Sequence, residues 1–249
     1  MTRLLVIPAA GLGSRLGAGV PKVLVPVAGA PMLDRLLDLY RSAVERVVVV
    51  AGPSFESEVK RHVAARPEYD RIDCVVQPSP TGMLDAILLA MPVVERHQPA
   101  SVWVTWCDQV TVHPRTIDRL VALTGGNRPD PLILPTVTRR HPYIHFDRDE
   151  AGRITRVRHR REGDAMPVTG ESDMGLFAMS ASTYRERLPE YAREMEAGAA
   201  TGERNFLPFI PWLARTERVT TFPCEDPMEA VGINTPEELA LVEEYFRHG

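Results

Sequence analysis

The chain has 249 residues, with 29 Lys and Arg against 33 Asp and Glu, a formal net charge of −4 and 44% hydrophobic residues. That balance fits a soluble globular protein with a sizeable core, and it provides no basic field for a nucleic-acid polyanion. No apolar run approaches the ~18 residues of a membrane span, and the scattered Cys74, Cys107 and Cys224 fit a reducing compartment better than a disulfide framework or a zinc knot.

The N-terminal stretch MTRLLVIPAAG is far shorter than a signal h-region and runs straight into a loop, so a cytoplasmic location is the expectation. Leu4 to Pro8 reads as a buried strand. The loop that follows, Ala9-Ala10-Gly11-Leu12-Gly13-Ser14-Arg15, lacks bulky side chains around its two glycines, so backbone N–H groups can approach phosphate oxygens. Arg15 and Lys22 would add the charge that a triphosphate needs. Neither G-x-G-x-x-G nor G-x-x-x-x-G-K-[ST] is present, and the glycines alone fit an ordinary small-residue turn equally well.

Met32 to Ala43 has helical apolar spacing, with Pro31 at a plausible first helical position. Strands are expected at Val47 to Ala51, Ile72 to Gln77, Ser101 to Cys107 and Leu132 to Val137. Helices are expected between them at Phe55 to Ala65, Met83 to Glu95 and Pro114 to Leu123. Continuous apolar strands alternating with helices predict an α/β fold whose mainly parallel sheet is covered on both faces. Two strand ends carry polar residues. Gln77, followed by Pro78-Ser79-Pro80-Thr81-Gly82, offers one donor and one acceptor to the edge of uracil or thymine, with Gly82 admitting backbone to the base; a proline-punctuated turn opening a helix fits as well. Asp108 is either a helix-cap acid or a magnesium ligand.

From Arg139 to Met179 the rhythm breaks into short alternating stretches punctuated by Pro142, Gly152, Pro167 and Gly170, as expected of an inserted small β lobe. Helices near Ser182 to Glu196 and Asn205 to Leu213 and a strand near Val219 to Phe222 come next. In the terminal helix, Pro236 to Phe246, Thr235 and Glu238 have capping-box spacing. Asn234 just before it is a neutral oxygen donor, a permissible metal ligand, or a turn residue. His141 and His145 are four apart, but Pro142 argues against a helix and a metal pair. Trp103 and Trp106 are expected to pack in or beside the sheet. The expectation is one domain over residues 1–249, with residues 139–180 as the inserted lobe.

The run A-A-G-x-G-x-R followed by P-K-x-L-x-P-V-x-G-x-P-M (Ala9 to Met32) resembles the signature of the sugar-1-phosphate nucleotidylyltransferases. Q-P-x-P-x-G at Gln77 resembles the base-binding segment of the glucose-1-phosphate thymidylyltransferases, and Glu229 to Leu239 resembles a piece of the N-acetylglucosamine-1-phosphate uridylyltransferases. The resemblance implies a Rossmann-like nucleotide-diphospho-sugar transferase fold and the reaction NTP + sugar 1-phosphate → NDP-sugar + pyrophosphate, with UTP or dTTP favoured. It implies Arg15 and Lys22 as catalytic cations and Ala9, Ala10, Gly11, Gly13, Gln77 and Gly82 around the nucleotide. Mg²⁺ would sit on Asp108 and Asn234.

On the acceptor side the resemblance implies Tyr143, Glu171, Asp173 and Gly175, with Asp173 where the family commonly has asparagine. Cys107 replaces a family glycine and Pro8 a leucine. Ile144 and the Arg158-His159 pair depart from an expected glycine and glutamate, which leaves the acceptor open. The acetyltransferase repeats of bifunctional relatives are not expected. Partners are therefore an NTP and a phosphorylated small molecule, with no nucleic acid or membrane; a homo-oligomer is compatible with the sequence. Two other readings stay open: a cytidylyltransferase acting on a non-sugar phosphate or phosphonate, and a non-catalytic nucleotide or nucleotide-sugar sensor.

Overall fold

A computed structural model describes residues 2–248 except 12, 14, 15, 17, 18, 127 and 128. Four strands run parallel to one another: the buried β1 (Arg3–Ala9) lies between the buried β4 (Arg46–Ala51) and β6 (Ser101–Thr105), and the half-buried β5 (Ile72–Val76) flanks β4. β2 (Pro26–Val27) and β3 (Ala30–Pro31) form a separate small hairpin. The large sheet continues beyond β6 through β11 (Leu176–Ser180), β7 (Leu132–Arg140) and β10 (Thr169–Asp173), with β12 (Val219–Pro223) parallel to β7. β11 and β10 run against their neighbours. The sheet is thus mixed and mainly parallel.

Side chains of successive strand residues point to opposite faces, and both faces are apolar here. Leu5 and Ile7 pack into one core cluster with α1 (Met32–Tyr40), α2 (Glu56–Ala64), α5 (Pro114–Thr124) and α8 (Pro236–His248). Leu4 and Val6 pack into the other with α3 (Met83–Leu88), α4 (Met91–His97), α6 (Leu188–Glu194) and α7 (Phe209–Ala214). This two-sided covering accounts for the unbroken hydrophobic runs in the sequence.

Three expected elements differ. The single helix over Met83 to Glu95 is two helices, because Pro92 lacks the N–H that an uninterrupted helix needs and instead opens α4. The helix expected from Ser182 begins as a π-helical turn over Thr183–Arg187, and α6 follows with Pro189 in its first turn. Within residues 139–180 only β8 (Ile144–Arg148) and β9 (Ile154–His159) form a separate sheet; β10 and β11 join the main one. Their side chains alternate in the same way wherever they pair, so local pattern does not distinguish the two destinations.

Candidate active site

The carboxyl ends of the parallel strands meet along one edge of the sheet, where open α/β sheets bind ligands. Lys22 follows the β1 loop and opens a 3-10 turn (Lys22–Leu24) anchored by the fully buried Val23. Its ammonium donates to Asp108 Oδ2, just beyond β6, and to Asn234 Oδ1 at 2.8 Å, just before α8. Three residues up to 212 positions apart therefore converge on one point. The β1 loop is pressed onto the same side chain. Gly13 has φ +60, and a Cβ built there would lie 2.9 Å from Lys22 Cβ, so a side chain would displace either the loop or the lysine. Arg15 lies outside the described residues.

Asn234 is held by the helix that it precedes. Glu238 Oε2 accepts from Asn234 N at 2.7 Å and from Thr235 N at 3.0 Å, while Glu238 N donates to Thr235 Oγ1 at 3.3 Å. The expected capping box is present and extends one residue back to the presumed ligand.

Asp108 and Asn234 present hard oxygen atoms that converge on a compact cation, currently the lysine ammonium. That donor set fits Mg²⁺, which takes one or two protein oxygens and fills its shell with water and phosphate. Among the described residues no cluster of three or more His, Cys, Asp or Glu could hold a metal, so a fully protein-built cage is not the alternative there. Cys107, next to Asp108, packs in the core; burial pushes its thiol up to about 12 and keeps it neutral.

A cleft of about 140 Å³ opens beside the loop and is lined by Pro8, Ala10, Gly11, Gln77, Gly82 and Glu203, among others. It gathers four of the residues expected around the nucleotide. Pro8 is tolerated in a central strand because the pairing of β1 with β6 stops at Val6, leaving one flank open. Gln77 is 4% exposed, and its Nε2 donates to Gly82 O at 3.0 Å. The donor half of the amide is thus engaged within the loop, leaving the acceptor half.

Gly82 has φ +120, and its Cα lies against Arg204: a Cβ would sit 2.5 Å from Arg204 N. Arg204 N donates to Thr81 O at 2.8 Å and Leu84 N to Arg204 O at 3.0 Å, so the segment around Arg204 is bonded to the Gln77 loop and brings Glu203 to the cleft. Sequence reading missed this segment, which is a polar coil with no motif. A larger cleft of about 270 Å³, among Thr2, Arg3, Glu45, Arg46 and His97, lies at the amino ends of β1 and β4, away from the converging side chains.

The acceptor-side residues divide. Asp173 and Gly175 occupy the kink where the chain leaves β7 (Asp173 opposite Thr136) and joins β6 (Leu176 opposite Thr105). Asp173 Oδ2 accepts from Gly175 N at 2.9 Å, and Gly175 O accepts from Trp106 N, also at 2.9 Å. Burial pushes the Asp173 carboxyl up to about 6, opposed by the Gly175 N–H, the Trp106 side chain and the positive charge of Arg139. Gln109 packs against Gly175, 6% exposed, and its Oε1 is buried without a hydrogen-bond partner; sequence reading passed it over.

Glu171 serves as a brace. Burial opposes its ionisation, but bonds from Arg148 at 2.7 and 2.6 Å and from Thr136 hold its carboxyl below the usual range. Tyr143, 43% exposed, packs edge-on against His159 at the start of the small hairpin. His145 lies against Glu171 O, and Trp106 packs with Phe177 and Phe206. The His145 contact is a hydrogen bond at 3.1 Å, and the Trp106 contacts are the packing expected of that side chain.

Comparisons with known proteins identify the family and the fold. A model of the MobA-like NTP transferase domain matches residues 5–173. The bifunctional protein GlmU of Pseudomonas putida (strain GB-1) is 31% identical over 248 residues, 98% of this chain and 51% of that protein. GlmU of Pseudomonas entomophila (strain L48) is 30% identical with the same coverage. The chain spans about half the length of the curated relatives it matches. A crystal structure from Bacillus anthracis, assigned as a glucose-1-phosphate thymidylyltransferase in complex with a sucrose, has the same fold: TM-score 0.78 at 16% identity, covering 99% of this chain and 96% of that one.

Proposed function

The chain belongs to the family of MobA-like NTP transferase domains, and on that premise we propose that it joins an NTP to a sugar 1-phosphate, giving an NDP-sugar and pyrophosphate. The observation that carries this reading is the convergence of Lys22, Asp108 and Asn234 beside a small-residue loop and a cleft bearing Gln77. A phosphate oxygen of the acceptor attacks the α-phosphorus in line, and pyrophosphate leaves. The acceptor is an anion at neutral pH, so no general base is needed; alignment and charge neutralisation supply the rate.

Lys22 moves from the carboxylate to the reacting phosphates, and Arg15 holds the departing pyrophosphate. Asp108 and Asn234 would hold Mg²⁺, which would supply charge neutralisation at the α-phosphate. The engaged Nε2 leaves the Gln77 carbonyl oxygen to accept the N3–H of uracil or thymine, and the preference for UTP or dTTP rests on the resemblance of the Gln77 segment to thymidylyltransferases, because a lone acceptor also takes the amine of cytosine.

One observation favours a second reading, a cytidylyltransferase. Glu203 brings an acceptor-only carboxylate to the cleft, and such a group suits an exocyclic amine better than a carbonyl. A matrix of UTP, dTTP, CTP, ATP and GTP against sugar 1-phosphates and non-sugar phosphates, read by pyrophosphate release, decides between them. UTP or dTTP with a sugar 1-phosphate is expected, and strong CTP preference would replace the base assignment. Nucleotide binding without pyrophosphate from any pair would identify a sensor. In the same assay Lys22→Ala is expected to fold normally and lose on the order of 10²–10³ in rate; turnover near wild type would remove Lys22 from the chemistry.

A further inference from the structure

Arg139 is a cation that the proposed reaction has not used. It lies near the carboxyl end of β7, opposite Gly170 of β10. Its guanidinium donates to Ala230 O at 3.2 Å. Ala230 opens the short segment that leads to Asn234, and two residues on, Gly232 lies against the presumed metal ligands: a Cβ there would sit 3.2 Å from Asp108 Oδ2. Two residues of chain span at most about 7 Å. Arg139 and Asp173 stand on the paired strands β7 and β10, three positions apart in register, and the positive charge of Arg139 favours the ionised carboxylate. Arg139 is therefore bonded to the segment that carries Asn234 and acts electrostatically on the buried carboxylate at the β10–β11 kink.

An acceptor whose body lies at Asp173 and Gly175 and whose phosphate attacks at Lys22 has to place that phosphate between the two. Arg139, a partly buried cation whose guanidinium holds Ala230 O, is tied to the segment that leads into that region. Guanidinium carries five N–H donors in a planar fork that matches phosphate bidentately. The neighbouring acids bear on the same point, because Asp108 and Asp173 repel an incoming phosphate dianion unless fixed positive charge offsets them. Lys22 offsets Asp108, and the charge of Arg139 acts on Asp173.

We infer that Arg139 binds the phosphoryl group of the acceptor and positions it for attack. The inference rests on the reaction proposed above. The alternative is that Arg139 only tethers the Ala230–Asn234 segment through its bond to Ala230 O. Arg139→Gln keeps a donor for that bond and removes the charge, so it separates the two roles; Arg139→Lys restores the charge without the fork.

Using the nucleotide and sugar 1-phosphate that give the fastest wild-type pyrophosphate release, Arg139→Ala and Arg139→Gln are both expected to raise the acceptor KM by on the order of 10–100-fold. The nucleotide KM and the magnesium concentration for half-maximal rate should stay within about twofold, and Arg139→Lys should recover part of the acceptor KM. Wild-type acceptor KM in Arg139→Gln, or a rise in magnesium requirement without a change in acceptor KM, overturns the assignment and leaves Arg139 as a tether. Absence of pyrophosphate from every wild-type pair overturns the reaction itself, and the assignment with it.

Discussion

Asp173 carries a titration that sets it apart from most acids of the chain. Burial holds its carboxyl up to about 6, against an ordinary value of 3.8. The unfolded chain releases this proton near pH 4, while the folded chain keeps it until about pH 6. Its contribution to stability is therefore complete below about pH 4 and is lost as pH rises through 6, by up to about 3 kcal/mol. Glu162 and Glu171 are shifted the other way, so the wild-type curve alone cannot isolate the effect. Asp173→Asn, compared with wild type by urea unfolding, should be the more stable protein at pH 7.5, and the difference should shrink towards pH 4.5. A constant offset across that range would mean that Asp173 is not held protonated. The physical reading is that burial outweighs the Gly175 N–H and the charge of Arg139, so the folded chain holds this proton longer than the unfolded one.

At the scale of elements, α8 does more than cover the sheet. Glu238 accepts from Thr235 N and also from Asn234 N, so the helix start fixes the residue that presents an oxygen to Lys22. Glu238→Ala should cost about 1 kcal/mol of stability, as loss of a cap does, and should raise the magnesium concentration for half-maximal turnover. A stability loss with unchanged magnesium dependence would mean that the cap serves the helix alone. The capping box was legible in the sequence because it is local: four consecutive residues satisfy one another. The same locality explains the strands β1, β4, β5 and β6, whose apolar runs need only two covered faces. It fails for β7, which runs through the polar Thr138, Arg139 and Arg140 because β10 pairs with them. It fails again at α3 and α4, where periodicity continued across a proline that the backbone does not tolerate.

Across the molecule as a whole, the cleft beside the β1 loop is tied to the edge of the small hairpin. Just after β9, the Glu162 carboxylate accepts from Ala200 N at 3.0 Å, Thr201 Oγ1 at 2.6 Å and Asn205 Nδ2 at 3.1 Å. Those residues flank Glu203 and Arg204, which close the cleft against Gly82. Glu162→Ala should therefore raise the nucleotide KM roughly five-fold, the size of one modest hydrogen bond, with little change in Tm because the clasp lies outside the core. An unchanged nucleotide KM would show that the segment keeps its place through the Arg204 backbone bonds alone.

The alternation of elements, the two-sided core, the glycine-loop motif and the capping box before the last helix are legible in the residues alone, because periodicity, glycine spacing and capping act over a few neighbouring positions. Folding in three dimensions settles that Lys22, Asp108 and Asn234 meet, that Glu171 braces β8, that Glu203 lines the cleft, and that Gln109 packs on Gly175 and Arg139 bonds Ala230. Those outcomes depend on strand order and on which edge the loops share. Contacts between positions far apart in the chain leave no local pattern for a sequence reading to find.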